Sequence, residues 1–238
     1  MPQVRNDPAA GPAEVEKPVG PRSRKGVRTR SRLLEAAKEI FEENGFLEAR
    51  ISDIAERAGL SHGSFYHYFE SKEEIFREVA KTQEDTLSSH CIVDSGLLDT
   101  STNTTMRERL GESNRRFLAD YRQEAGIMGV IEQVSRYDDQ VRAARLAQSK
   151  LYSERTEDAI RHLQRQGLAD PGLDPVIAAS ALSAMVSRFA EMWFVQDQLD
   201  CGFDEGVEQL TSLCMNALQL KDRSASAPRG RSTHPGRH

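Results

Sequence analysis

The sequence predicts an all-α protein, with a small three-helix unit at the N-terminal end and a larger helical remainder. Three observations carry this. Apolar residues recur at helical spacing from about residue 28 to 220. No alternating β-branched run appears anywhere. Gly45, Gly59 and the stretch 166–175, with Ser61, Ser71 and Asp174 as capping residues, mark edges of the periodic segments.

The first helix is expected over 28–44, where Leu33, Ala37, Ile40, Phe41 and Asn44 follow the 3.6-residue period and Gly45 supplies the stop. A short second helix, 52–58, places Ile54, Ala55 and Ala58 on one face. "AGLS" then makes a corner: Gly59 takes the left-handed conformation, Leu60 plugs the core and Ser61 caps a third helix over 61–68. Ser71, with Glu74 three positions later, caps a fourth helix whose buried stripe includes Ile75 and Val79. Further helices are expected near 105–123, 125–134, 138–167, 174–197 and 203–220. Asp174 caps the fourth of these, with Pro175 in its first position. The Ser/Thr-rich stretch 91–105 and "QGLADPGLDP", 166–175, read as breaks.

Composition limits the function classes. Of 238 residues, 29% are charged and 38% hydrophobic, with a formal net charge of −5. That average hides an asymmetry. Residues 1–32 carry eight Lys/Arg against three acids, and 223–238 carry four Arg and no acid. The body between, 33–222, has a net charge of −14. An acidic body with basic ends directs polyanions to one place and repels them elsewhere, although short charged tails are commonly just solvated. Residues 1–26 are expected to be a disordered basic arm and 223–238 a disordered basic tail. Three scattered cysteines, Cys91, Cys201 and Cys214, lack CxxC spacing. With no signal peptide and no apolar span of ~18 residues, the expected location is cytoplasmic, without a membrane partner.

The second and third helices with their glycine corner form a helix-turn-helix. In such motifs the second helix enters the major groove, and the residues near its start meet base edges. Here those are Ser61, His62, Gly63 and Ser64, small or polar groups that permit close approach. Phe65 and Phe69 should face inward, which turns Tyr66, His67 and Tyr68 mostly outward. A tyrosine hydroxyl suits a phosphate oxygen. Lys72 adds a cation beyond that surface, and Arg24, Lys25, Arg28 and Arg30 lead into the first helix. His62 and Tyr66 stand at metal-ligand spacing but without a Cys or carboxylate cluster, so neither metal nor cofactor is expected. No GxGxxG, HExxH or supported Ser-His-Asp arrangement points to an enzyme.

"RLLEAAKEIFEENGF" and "ISDIAERAGLSHGSFYHYFESKEEIF", with their spacing, resemble the N-terminal domain of the TetR family of bacterial transcriptional regulators. The resemblance covers 28–80 and implies a DNA-binding domain over 27–81, then a helical ligand-binding and dimerisation domain over 82–222. It places His62 and Gly63 at base-reading positions, Ser64, Tyr66 and Tyr68 on phosphates, and His67 facing the groove. Lys72 falls on the family's phosphate-contacting lysine. Where the family usually carries a capping threonine this chain has Arg50, so Ser52 is expected to cap the second helix. Arg50 then either reaches a phosphate or is simply solvated.

The implied function is a homodimeric repressor on a double-stranded DNA operator, released by a small apolar effector. Activation, or control by a protein partner, is the alternative. The segment "VIAASALSAMVSRFAEMWFVQ" is apolar over more than one face, as a helix buried on two sides requires. Phe117, Tyr121, Met128, Met185, Phe189, Met192 and Trp193 are the candidate pocket residues, although such stripes are more often plain core.

Overall fold

The computed structural model describes residues 24–88 and 104–221. They form α1 (Arg24–Glu48), α2 (Ile51–Arg57), α3 (His62–Phe65), α4 (Lys72–Ser88), α5 (Met106–Gln123), α6 (Ala125–Ser135), α7 (Asp139–Arg165), α8 (Pro175–Phe194) and α9 (Phe203–Ala217). Among the described residues there is no strand, as predicted. The expected arm over 1–23, the loop over 91–103 and the tail lie outside the described residues.

α1 starts earlier than its apolar period suggests: Arg24, Lys25 and Gly26, expected in the arm, are its first turn. Gly45 interrupts it at φ 69°, ψ 172°, a backbone open to glycine and costly for other residues. The helix-turn-helix corner behaves as read from sequence. Gly59 has φ 67°, and a Cβ there would stand 2.8 Å from Nη2 of Arg32. That guanidinium is held by the carbonyl of Ala58, so the corner is tied back onto α1.

Ser61 caps α3, its side chain accepting from the Ser64 backbone N–H at 3.3 Å. α3 is shorter than expected, a single helical turn continued by tight turns to Tyr68. Ser71 accepts from Glu74 N–H at 3.1 Å, while the Glu74 carboxylate reaches back to the backbone N–H of Glu70. Ser52 does not cap α2: its hydroxyl bonds the Asp53 side chain, and α2 begins at Ile51 with Arg50 as an N-cap lacking a side-chain bond. Asp174 caps α8 through Val176 and Ile177 N–H, with Pro175 at the start.

Phe41, Phe65, Phe69 and Phe76 fill the space among α1–α4, fully buried. This core runs without a break into Leu118, Ile127, Ile131 and Ile160. Polar ties cross the same junction. Lys38 of α1 pairs with Glu124 at 2.6 Å, Glu42 accepts from Ile127 N–H at 3.2 Å, and Arg77 of α4 meets Asp138 at 3.1 Å.

Asp138 also caps α7, accepting from the N–H groups of Gln140 (2.8 Å) and Val141 (3.0 Å). Partial burial alone would raise its pKa, but the Val141 and Gln140 N–H groups and Arg77 together hold it below its ordinary value of 3.8. A depressed carboxyl contributes stability that is complete above the unfolded pKa and lost as pH falls through the folded one. The melting-temperature gap between wild type and Asp138→Ala should therefore be constant at neutral pH and close below about pH 4. The cap itself is worth about 0.5–2 kcal/mol. A gap that persists undiminished at pH 3 would show that the ionised form is not the stabilising one.

Candidate nucleic-acid interface

α3 offers one side to the core and the other to solvent. Phe65 and Phe69 are buried with rings 5.8 Å apart, and Leu60 packs partly buried against the same cluster. Anchored there, the turn must display what lies between. Tyr66 is 49% exposed, and Ser61, His62, Gly63 and His67 are exposed as well. Ser64 and Tyr68 are half-buried. The His62 and Tyr66 rings meet edge-on at 5.3 Å, so each limits the other's rotation. A Cβ at Gly63 would meet nothing within 4 Å, so the backbone there is open to close approach. Ser61 and Ser64 hydroxyls are 2.8 Å apart, which keeps both short side chains close to the helix end.

The cations divide into two groups. Arg24, Lys25 and Arg28 on the first turns of α1, and Arg50 before α2, are exposed. Four others are engaged by acceptors of the protein itself, Arg32 and Arg57 while still exposed. Arg57 bridges Glu39 (2.9 Å) and Glu43 (2.8 Å). Arg32 holds the Ala58 carbonyl. Arg30, expected in the basic approach to the DNA, pairs instead with Glu78 of α4 and lies over the Phe69 ring at 4.7 Å.

Lys72 is held within the protein. Its ammonium donates to the carbonyls of Phe46 (2.7 Å), Leu47 (3.1 Å) and Ala49 (2.9 Å) and lies 4.7 Å from the Phe46 ring centroid. An ammonium has three N–H donors, and all three are taken. Lys72 braces the chain between α1 and α2; a phosphate contact from it requires giving up one of these bonds.

A second site lies among the later helices. A cavity of about 140 Å³ is lined by Leu87 of α4, Phe117 and Tyr121 of α5, Met128 of α6, Arg145, Gln148, Ser149 and Tyr152 of α7, and Ser183 and Ser187 of α8. Of the candidate pocket residues, Phe117, Tyr121 and Met128 line this cavity. Met185, Phe189, Met192 and Trp193 are not in this lining. Trp193 is buried on the other side of α8, stacked on Phe194 (4.5 Å) and Phe203 (6.1 Å), with Phe189 at 5.5 Å. Gly206 makes that possible, because a Cβ there would collide with the indole. The polar half of the lining was missed. Its signal was present in Ser183 and Ser187, four apart on α8.

Among the described residues no group of His, Cys, Asp and Glu is arranged to hold a metal. No helix there is long and apolar enough to cross a membrane.

Comparison with known proteins agrees with this geometry. Residues 33–79 match the family model described as bacterial regulatory proteins, tetR family. This N-terminal segment is that of the TetR family. Over 55 residues the chain is 51% identical to YdgC of Bacillus subtilis (strain 168), an uncharacterised HTH-type transcriptional regulator, covering 23% of this chain and 28% of YdgC. Over 70 residues it is 40% identical to the HTH-type transcriptional repressor KstR2 of Rhodococcus jostii (strain RHA1), covering 29% and 34%. The chain thus spans about a third or less of the length of these curated relatives. The TetR family transcriptional regulator PfmR of Thermus thermophilus shares the fold more widely. Its TM-score is 0.60 at 22% identity, over 78% of this chain and 97% of PfmR. All the matched TetR-type positions, from Leu33 to Val79, lie on α1 to α4 and the turns between them.

Proposed function

We propose that the protein is a homodimeric transcriptional repressor of the TetR type that binds a two-fold operator through α3 and is released by a small ligand in the α4–α8 cavity. The observation that carries this is the division of α3: Phe65 and Phe69 buried, with His62, Gly63, Tyr66 and His67 held outward on a rigid turn. His62 and Gly63 are assigned to base edges, His67 to the groove, and Ser64, Tyr66 and Tyr68 to phosphates, with Arg28 and Arg50 as flanking cations. Ser61 supports them as the cap. The repressor direction is supported by the name of KstR2, and the compact TetR-type segment by its family match.

Tyr66→Phe should weaken binding to all duplexes similarly, whereas His62→Ala should change preference among operator variants by about 1–3 kcal/mol at the affected base pair. Fragments selected from the source genome supply the operator, and a salt series supplies the slope. DNA affinity that is absent, or that does not vary with salt, would refute the reading.

Dimerisation is supported by apolar groups left in solvent on the last two helices, Ile177 (71% exposed) and Val176 on α8, and Leu213 (54%) on α9. A two-fold pair presents two copies of α3 to a two-fold site. Because these side chains are exposed in the single chain, Ile177→Glu with Leu213→Glu should leave helicity intact, shift sedimentation to monomer and abolish tight operator binding. A variant that still sediments as a dimer would place the interface elsewhere.

A further inference from the structure

The polar groups in the cavity wall are already committed. Arg145 donates to the Ser135 hydroxyl at 3.2 Å and has a further interaction within the protein. Gln148 is held by the Asp85 carboxylate, and Tyr152 is engaged as well. The Ser183 hydroxyl is buried, with no surface open to the cavity. Ser149 and Ser187 are exposed and served by solvent. A charged ligand entering here gives up its water and meets no group waiting to replace it. Burying a charge without a new partner is strongly unfavourable. What the wall does offer is apolar and largely aromatic. The Phe117 and Tyr121 rings stand 5.8 Å apart at 52°, and Phe194 backs Tyr121 at 6.5 Å. Leu87 and Met128 complete that side.

We infer that the cavity takes a neutral compound with a single aromatic ring, seated on Phe117, Tyr121 and Met128. Size follows from volume. A cavity of about 150 Å³ holds a benzene ring, so the 140 Å³ here fits one ring with a small substituent. Aromatic character follows from the wall. Tilted rings receive a further ring by edge or offset contact, and a thioether favours a ring edge, so an aromatic ligand gains more than a saturated one of the same bulk. This inference rests on the regulator reading for its purpose and narrows the apolar effector expected from sequence to one class. Such a ligand touches Leu87 in the last turn of α4, the helix that continues the DNA-reading unit. It also touches Met128 on α6, whose N-terminal turn is bonded to α1 through Glu42.

The test uses the full chain with toluene, methylcyclohexane and benzoate, measuring binding by calorimetry and DNA release by fluorescence anisotropy. Toluene should bind at least about tenfold tighter than benzoate. It should also bind about two- to tenfold tighter than methylcyclohexane. Phe117→Leu keeps an apolar wall without the ring, so it should bring toluene down to the level of methylcyclohexane. Ser149→Trp, at an exposed position of the lining, should lower toluene affinity at least about tenfold by filling the space, with the melting temperature unchanged. Benzoate or methylcyclohexane binding as tightly as toluene, no toluene binding, or toluene affinity unchanged in both variants would overturn the inference. Toluene binding that leaves DNA affinity unchanged would instead overturn release by ligand and leave the ligand class standing.

Discussion

Phe65→Ala should lower the melting temperature by roughly 6–20 °C and remove specific operator recognition. Phe65 has no solvent exposure and is the one buried side chain of the four-residue α3. So short a helix has no stability of its own, because nucleation costs more than one turn returns. It persists because Phe65, and Phe69 just beyond, hold it on the core. Truncating a buried phenylalanine costs about 3–5 kcal/mol, through lost burial and the cavity left behind. Expressed locally, about 3 kcal/mol corresponds to about two orders of magnitude in operator affinity. Non-specific binding depends on exposed cations that Phe65 does not touch, so its salt dependence should survive. Thermal melts and competition between operator and random duplex measure both parts. A variant that melts like wild type and still discriminates would mean that α3 is held by something else.

Lys72→Met should also destabilise the fold, by about 2–3 kcal/mol, since it removes three donors from three carbonyls. The expected fall in melting temperature is about 4–12 °C. The carbonyls of Phe46 and Leu47 lie in the short stretch of α1 beyond the break at Gly45. Methionine keeps the packing of the stem and loses only the charge and donors. If Lys72 is a brace, the slope of log affinity against log salt stays that of wild type at a temperature where the variant is folded. If it contacts a phosphate, the slope falls by about 0.9. Unchanged stability with a shallower slope would restore the phosphate role that its position in the family motif implies.

These two residues mark the boundary between what local sequence specifies and what it does not. Phe65 was legible because burial on a short helix follows from spacing: Phe65 and Phe69 lie four apart with polar groups between. The bracing bonds of Lys72 were not legible because its partners lie 23 to 26 positions earlier. The same holds for the ion pair of Arg30, its carboxylate standing 48 positions later on α4. A long cationic side chain pairs with whichever acceptor the fold brings within reach, and periodicity along one helix holds no record of that.

By itself the sequence determined the helical class, most helix limits, the glycine corner at Gly59, the caps at Ser61, Ser71 and Asp174, and which face of α3 is turned outward. Each of these depends on interactions within about one helical turn, which composition and spacing encode directly. Only the tertiary structure decided which cations remain at the surface, which aromatic residues pack on α9 and which line the cavity, and that the cavity has a polar wall. Those outcomes depend on helices distant in sequence meeting at particular angles, so their information is spread over the whole chain and not held in any one motif.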